Sequence, residues 1–464
     1  MKKTILYILA ALTLGTGCNK SYNDTIKGKL PDERISDALT AYQRKLSGAP
    51  YGWLLIESTT GTAFNQGVSQ SGPKAVFAYY MQFNDSNKVT MFSDFDTTMA
   101  ATPKTSDYRL KSLQRPVLIF DTYTYIHVPC DPNPSVSKSP FGTGFGWGTD
   151  FEYSFSDNIP AAELGDTIHL TGNLNSASAV LVKATQQQRD AYYSGQLKTT
   201  MTANSQIFNY FKQASSNGTT LFEMTPGLSG SNSVELSWLD GSGNLQTETS
   251  LLYYTAGNIN FVTPITIKTQ KITSMSNLSY DPSTSTISTT INGSAVTITG
   301  STAPLKNDLN APYAFWQGSI DSRSYYYSNS GFTVNGVDDY YKVTKLANWS
   351  NMIYWAKYNR SGTTYYDAFA GNLSGSLTGS ALFSPNPPPA TSTTLTSFTP
   401  DGRIIFKLLG AFGSATSILN TTVRAQILDP SGYYLVLKKD GKTYDMVVAS
   451  DAKAWIRFAP WWNR

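Results

Sequence analysis

Two pairs of carboxylates are the first candidates for chemistry in this sequence. Asp94 and Asp96 stand in SDFD, and Asp150 and Glu152 stand in TDFEY. Side chains two positions apart on a strand point to the same face, so each pair could supply the acid and nucleophile of a glycosidase or oxygen ligands for calcium. The alternative is that both pairs lie on solvated strand faces, which are common in long β proteins. We favour that alternative and predict no catalytic residue.

Histidine and cysteine offer few ligands for a metal. The chain has two histidines, His127 and His169, within TYTYIHV and DTIHLTG, which both read as strands. A histidine-dependent triad or a multi-histidine zinc site therefore has few possible members. His127, Cys130 and Asp131 could bind a metal with His169 only if these strands were neighbours. Since strand histidines usually satisfy a local hydrogen bond, we expect neither a metal site nor a cofactor.

Two glycine-rich stretches resemble ligand-binding loops. The segment DGSGN, which begins at Asp240, starts like a calcium loop, but Leu251 stands where such a loop carries its bidentate Glu. We predict a hairpin turn there. The segment GTGFGWG at 142–148 lacks the Lys-Ser/Thr ending of a phosphate loop. It predicts a flexible aromatic loop that presents Trp147 to a ligand.

Aromatic residues are the strongest candidates for binding. The chain holds 29 Tyr, 22 Phe and 9 Trp, and many of them crowd among Ser, Asn and Asp between 325 and 366. Aromatic platforms with polar neighbours can stack on sugar rings or dock peptides at low entropic cost. At least half of these rings must instead form the core of a sheet. The candidate ligand-binding residues are Tyr325, Tyr326, Tyr327, Trp349, Trp355 and Trp147.

The elements that must position these side chains are mostly strands. Short runs rich in aromatic and β-branched residues alternate with Gly, Asn and Ser turns. We predict a mainly β, multidomain chain of antiparallel sheets, built as barrel-like or sandwich domains. An amphipathic helix opens it at 31–48, and short helices follow in QQQRDAYYSG and NSQIFNYFKQA. The predicted domains are 31–200, 201–305 and 306–464; NAPYAFW in the third echoes GAPYGW in the first, which suggests a duplicated module.

The N-terminus reads as an export signal that ends at a cysteine. Basic Lys2 and Lys3 precede an apolar run, ILYILAALTL, that is too short to span a bilayer. We predict a signal peptide at 1–17, lipidation of Cys18 and a tether at 18–30; the alternative is that Cys18 is an ordinary thiol. Gly15 stands where a lipobox usually carries Leu. The net charge of +4 without a basic stripe excludes a nucleic-acid partner.

Three segments together resemble a known family. DERISDALTAYQRKLSGAPYGW, YYMQFNDSNKVTMFSDFD and GWGTDFEYSF are similar to a family of uncharacterised Bacteroidetes lipoproteins that carry a domain of unknown function, over residues 31–185. The resemblance implies an outer-membrane lipoprotein, at the cell surface or the periplasmic face, that accompanies an uptake complex. It supplies no catalytic residues.

Together these features predict a membrane-anchored, non-enzymatic binding accessory that captures a glycan, a peptide or another nutrient. Two alternatives stay open. One is a carboxylate-dependent hydrolase of polysaccharide or protein, and the other is a structural, partner-docking subunit of an outer-membrane complex.

The first testable prediction concerns Cys18. Cells that express the wild type with labelled palmitate should yield labelled protein, and Cys18→Ala should remove the label, because acylation requires the thiol of that residue. Protease treatment of intact cells then distinguishes a surface protein from one that faces the periplasm. A wild type without label would contradict the prediction.

Overall fold

The computed structural model describes residues 30–463 except 113–114, 157–158, 229–231, 359–364 and 385–397. Its strands pair antiparallel throughout and form two closed barrels followed by a large open sheet. The predicted mainly β fold of antiparallel, barrel-like units is therefore confirmed. Cys18, the signal peptide and the tether up to residue 29 lie outside the described residues. Within the described part of the chain, no helix combines the length and apolarity needed to cross a membrane.

The N-terminal helix spans Pro31–Ser47, as predicted. Proline suits its first turn, which lacks hydrogen-bonded N–H groups, and the N–H of Gly48 closes its last turn on the carbonyl of Arg44. Tyr42 and Leu46 are buried against the first barrel. The indole of Trp53 donates to the carbonyl of Leu46 at 2.9 Å, so the first strand of the barrel is fastened directly to the helix.

The first barrel has eight strands, and a two-stranded hairpin of Thr62–Asn65 and Val68–Ser71 lies beside it. Its closure comes from β1 (Trp53–Ser58), which pairs with both β4 (Val76–Phe83) and β10 (Ser178–Lys183). The run VFAYYMQF in β4 is almost continuously buried because alternate side chains face the barrel core and the second barrel. The strands up to residue 183 are β1 (Trp53–Ser58), β2 (Thr62–Asn65), β3 (Val68–Ser71), β4 (Val76–Phe83), β5 (Lys88–Ser93), β6 (Lys104–Ser112), β7 (Pro116–Phe120), β8 (Glu152–Phe155), β9 (Thr167–Gly172) and β10 (Ser178–Lys183).

Short helical segments connect some of these strands. They are the α-helices Thr97–Ala101 and Pro134–Ser137 and the 3₁₀ turns Tyr125–His127 and Ala161–Glu163. The strand predicted through TYTYIHV is wrong, because β7 ends at Phe120 and His127 closes a 3₁₀ turn.

Two helices, Gln186–Tyr193 and Gln196–Ser205, join the barrels. The first of them was predicted, but the helix predicted over NSQIFNYFKQA is wrong. The helix ends at Ser205, and Phe211–Ser216 is β11, the first strand of the second barrel. Its pairing with strands on both sides outweighs the helical spacing of Ile207, Phe208 and Phe211 in the sequence.

The second barrel is an eight-stranded meander that closes where β11 pairs with β18 (Ser294–Ser301). Asp240 lies in the hairpin turn predicted for DGSGN, and its carboxylate accepts from the N–H groups of Ser242 and Asn244. The strands are β11 (Phe211–Ser216), β12 (Thr219–Pro226), β13 (Ser233–Leu239), β14 (Leu245–Thr255), β15 (Asn258–Ile267), β16 (Gln270–Asp281), β17 (Thr286–Ile291) and β18 (Ser294–Ser301).

The C-terminal part is a ten-stranded sheet with the helix Ala311–Asp321 packed on its inner face. NAPYAFW begins this helix, whereas GAPYGW leads into β1, so the echo between them marks no duplicated module. The strands are β19 (Tyr326–Ser328), β20 (Thr333–Val334), β21 (Trp349–Tyr358), β22 (Tyr366–Leu373), β23 (Ser376–Phe383), β24 (Arg403–Ile404), β25 (Leu408–Phe412), β26 (Tyr433–Leu437), β27 (Tyr444–Val448) and β28 (Ala454–Pro460). The remaining helical segments are Val343–Lys345, Ile418–Asn420, Thr422–Ile427 and Trp461–Asn463.

A buried ion cluster joins this sheet to the second barrel. The ammonium of Lys438, from the turn after β26, lies 2.8 Å from the carboxylate of Glu235 in β13, and both side chains are buried. Asp445 lies 3.7 Å from the same ammonium and 2.7 Å from the guanidinium of Arg457. The hydroxyl of Tyr210, which precedes β11, donates to Asp445 at 2.6 Å. The cluster thus draws charges from both sides of the interface.

Removal of the central cation tests this cluster. Lys438→Met should lower the free energy of unfolding by about 3–5 kcal/mol, because it leaves Glu235 buried without a counter-charge. The neighbouring Lys439 reaches Glu248 with a half-exposed side chain, so Lys439→Met should cost less than about 1 kcal/mol. Urea denaturation of the two variants measures the difference. Equal losses would contradict a structural role for the buried ammonium.

Candidate ligand-binding surface

A row of aromatic rings crosses the outer face of the C-terminal sheet. Consecutive ring centroids lie 5.2, 5.2, 5.0, 5.9 and 6.0 Å apart. We call these residues the aromatic row: Trp461, Tyr325, Trp355, Tyr358, Tyr366 and Phe412. The row continues from the C-terminal 3₁₀ turn across β21 and β22 to β25. Its members are partly exposed except for Tyr358, which is buried beneath its neighbours.

A groove of about 830 Å³ follows β21 beside this row. Tyr325, Trp355 and Tyr358 contribute to its wall, and the side chain of Tyr365 is 60% exposed at one end. Asn372 lines the groove and pairs with Asn351 near the start of β21, whereas Tyr358 is its last residue. The groove therefore extends along most of a ten-residue strand.

Polar groups accompany the rings. Arg323, exposed after the helix Ala311–Asp321, and Asn372, in β22, line the groove with the tyrosines. The backbone bends at Lys357, whose φ of 50° lies in the left-handed region. Its N–H donates to Asp367 at 2.9 Å. This bulge interrupts the alternation of β21 and brings Tyr358 against Trp355.

The structure brings together only some of the predicted aromatic residues. Tyr325 and Trp355 are neighbours in the aromatic row with their rings tilted at 49°, and Tyr327 contacts its end through Trp461 at 5.4 Å. Tyr326 points to the opposite face, where it is 3% exposed and stacks on Phe315. Since side chains alternate across a strand, Tyr326 belongs to the core and has no ring face for a ligand.

Two predicted tryptophans also lie away from the row. Trp349 packs against the inner core of the C-terminal sheet, beside Gly371. Trp147 is buried in the first barrel, and its indole donates to the carbonyl of Ser137 at 2.8 Å. The loop around Trp147 needs glycine for close packing, because a Cβ on Gly148 would lie 2.4 Å from the carbonyl oxygen of Thr62. The glycines here serve a close backbone approach instead of an exposed aromatic platform.

Asp94 and Asp96 do not share a strand face. The strand β5 ends at Ser93, and Asp96 instead caps the helix Thr97–Ala101. Asp94 is buried between the barrels, where its two oxygens accept from the N–H groups of Ala78 and Tyr254 at 2.8 and 2.9 Å. Burial raises its pKa to about 7. This carboxyl therefore fastens one barrel to the other, and the same-face interpretation was wrong.

Asp150 and Glu152 also differ in burial and in hydrogen bonding. Asp150 is 3% exposed and accepts from the N–H groups of Leu174, Asn175 and Ala177. Burial raises the pKa of its carboxyl, while these donors lower it. Glu152 is the half-buried first residue of β8. Asp150 thus organises a loop, and neither pair has the arrangement of a catalytic acid and nucleophile.

The histidines have local roles. His127 accepts from the N–H of Thr124 at 3.2 Å, and its Nε2 lies 3.1 Å from the carbonyl oxygen of Phe120, which fixes a neutral tautomer. Burial lowers its pKa. His169 lies on the exposed face of β9. Among the residues described, no three His, Cys, Asp or Glu side chains converge as a metal site would require.

A buried acid that the sequence analysis missed lies inside the first barrel. Glu57, in β1, has 0% exposure, and its Oε1 accepts from the N–H of Asp150 at 2.8 Å and from the hydroxyl of Tyr153 at 2.7 Å. Its Oε2 and the hydroxyl of Tyr79 have no hydrogen-bond partner among the described residues. Burial raises the pKa of Glu57 to about 8. The one sequence signal for this buried acid is its position in WLLIES, where its side chain faces the barrel interior.

Comparison with known proteins identifies one family. The model of a family described as Domain of unknown function (DUF4302) matches residues 23–279. No curated protein matches the chain. The match covers the first barrel and reaches β16 of the second, whereas the aromatic row begins beyond it.

The raised pKa of Glu57 predicts a pH-dependent stability. Between about pH 4.5 and pH 8 the folded protein holds a proton on Glu57 that the unfolded chain has already lost. Glu57 therefore lowers the free energy of unfolding as the pH rises through that window. Glu57→Gln, which resembles the protonated acid, should remove this contribution and flatten the decline. Melting temperatures measured across the window test it, with the exposed Glu163→Gln as the control. A variant with the wild-type pH slope would contradict the assignment.

Proposed function

The chain belongs to the DUF4302 family, and because that family is described only as a domain of unknown function, we propose a function from the geometry of the chain itself. The protein is a non-enzymatic binding accessory that captures an extended glycan along the aromatic row. It acts at the cell envelope, where acylated Cys18 anchors it to the membrane.

The observation that carries this proposal is the aromatic row beside a long groove. Partly exposed rings such as Tyr325 and Trp355 offer apolar faces to the C–H faces of sugar rings, at low cost in side-chain entropy. Arg323 and Asn372 supply polar groups that can orient hydroxyls. The groove follows a strand for most of its length, which suits an extended chain better than a single small molecule.

A glycan fits this surface better than a peptide does. Peptides commonly add a strand to the free edge of a sheet, where backbone groups provide the affinity. The aromatic row instead crosses the face of the sheet, over β21 and β22, whose backbones already pair with strands on both sides. Binding here must therefore come from side chains, and stacking on rings is the main interaction they offer.

The environments of the carboxylates support binding over hydrolysis. A glycosidase needs two carboxyl groups that face the same bond across a cleft. Asp94 and Asp150 are buried and engaged by backbone N–H groups, and neither lines the groove. The hydrolase alternative therefore has no pair of carboxylates from the predicted set at this surface.

A specific surface favours partner docking as a second function. Phe64, Phe151 and Leu174 are 41%, 37% and 62% exposed and line one pocket at an end of the first barrel. Val68, in the adjacent hairpin, is 59% exposed. Contiguous exposed apolar groups mark interaction sites more often than isolated ones do. We propose that this end of the barrel contacts an envelope partner such as an uptake complex.

The glycan proposal predicts which aromatic residues matter. On a polysaccharide array, Trp355→Ala and Tyr365→Ala should each weaken binding about tenfold, since a ligand ring stacked on one aromatic side chain contributes on the order of 1–3 kcal/mol in the comparable case of nucleobases. Tyr365 is largely exposed, so its variant separates lost binding from lost folding.

The matched control is Tyr340→Ala, which removes a ring of 49% exposure outside the aromatic row. It should leave binding unchanged. Glycan binding that survives both Trp355→Ala and Tyr365→Ala at full strength would overturn the proposed surface.

A further inference from the structure

A further cavity lies at the mouth of the second barrel, apart from the aromatic row. It has a volume of about 330 Å³, which is within the range of small-ligand pockets. Met224, Val234, Leu252 and Tyr254, which belong to the barrel core, line its floor. Ligand sites occur preferentially in the mouths of β-barrels.

The opposite wall comes from the C-terminal sheet and its loops. Trp455 in β28 and Gly336, after β20, line the cavity. Phe208, 41% exposed, stands close to Gly336 at the rim. The cavity is therefore a cleft between two parts of the chain, with an apolar floor and aromatic sides.

One ammonium group enters this cavity. Lys212, in β11, is paired with Met224 of β12 and so shares the inward register of the barrel. Its Nζ donates to the carbonyl of Asn204 at 3.0 Å. Among the described residues, no carboxylate lies within ion-pair distance of it. Burial lowers its pKa to about 8.

The other polar groups of the cavity leave this charge uncompensated. Asp338 is the one acidic residue among those that line the cavity, and its carboxylate accepts from Thr333 on the opposite wall. Glu223 lies on the neighbouring strand but is held by Gln213 and by the N–H of Leu305. A partly buried cation without a counter-charge is costly, and a ligand that brings a negative charge would remove that cost.

We propose that this cleft binds a small organic carboxylate with an apolar body, whose carboxylate pairs with Lys212. The apolar part lies on Met224 and Leu252 and against Trp455. The site is independent of the glycan surface, because the two cavities share no lining residue.

Titration calorimetry with naphthoate and with its neutral analogue naphthamide tests the proposal. The wild type should bind naphthoate about tenfold more tightly than naphthamide, since a hydrogen bond to a charged group contributes more than a neutral one. Lys212→Met, which keeps the apolar stem, should abolish that preference. The exposed Lys271→Met in the same barrel is the matched control and should retain it.

A second measurement uses the wild type alone and does not depend on the folding of a variant. Mass spectrometry should show that naphthoate slows acetylation of Lys212 but not of Lys271. Absence of naphthoate binding, equal binding of the acid and the amide, or a preference that survives Lys212→Met would each overturn the proposal. None of these outcomes bears on glycan binding, which is read from Trp355 and Tyr365.

Discussion

The position of the C-terminal sheet depends on the buried ammonium of Lys438. This charge lies between Glu235 of the second barrel and Asp445 of the sheet, and Arg457 completes the neutralisation. Charges buried in this way are stable only when their partners are held in place. The cluster therefore fixes how the sheet meets the barrel. Because the cleft at Lys212 lies along the same interface, its two walls depend on that contact.

Lys438 and Lys212 show the same physical rule with opposite outcomes. Lys438 has two carboxylates within 4 Å of its ammonium, whereas the Nζ of Lys212 has one carbonyl oxygen as its hydrogen-bond partner. Burial lowers the pKa of Lys212, which has no carboxylate partner among the described residues. The fold supplies carboxylate partners for Lys438. Among the described residues it supplies none for Lys212, and Lys212 is also the lysine that faces a cavity.

The sequence predicted the helices and strands better than it predicted which face of each strand is buried. The helix at 31–47 followed from its spacing and first turn, and the β-rich remainder followed from its composition. Alternation could not tell whether Tyr325 or Tyr326 faces outward, because both strand faces are lined with rings and only the packed helix Ala311–Asp321 decides. Asp94 was misplaced because its strand ends one residue earlier.

The groove and the cleft required long-range information. Trp461 joins Tyr325 across more than a hundred residues, and no local pattern indicates that contact. Lys212 was assigned to a helix because Phe208 and Phe211 fit a helical period, and only the closure of the barrel turns the segment into a strand. Local periodicity cannot report pairing between β11 and β18, which are separated by six strands.

The limits of the family match have a structural consequence. The match ends at residue 279, within β16, but the second barrel closes only when β17 and β18 pair and β18 returns to β11. A chain cut at the end of the match would expose the unpaired edges of β11 and β16, which is a situation that natural sheets avoid. The matched region is therefore not a complete folding unit in this protein. The second barrel needs residues up to Ser301, and the aromatic row is built entirely from residues that follow it.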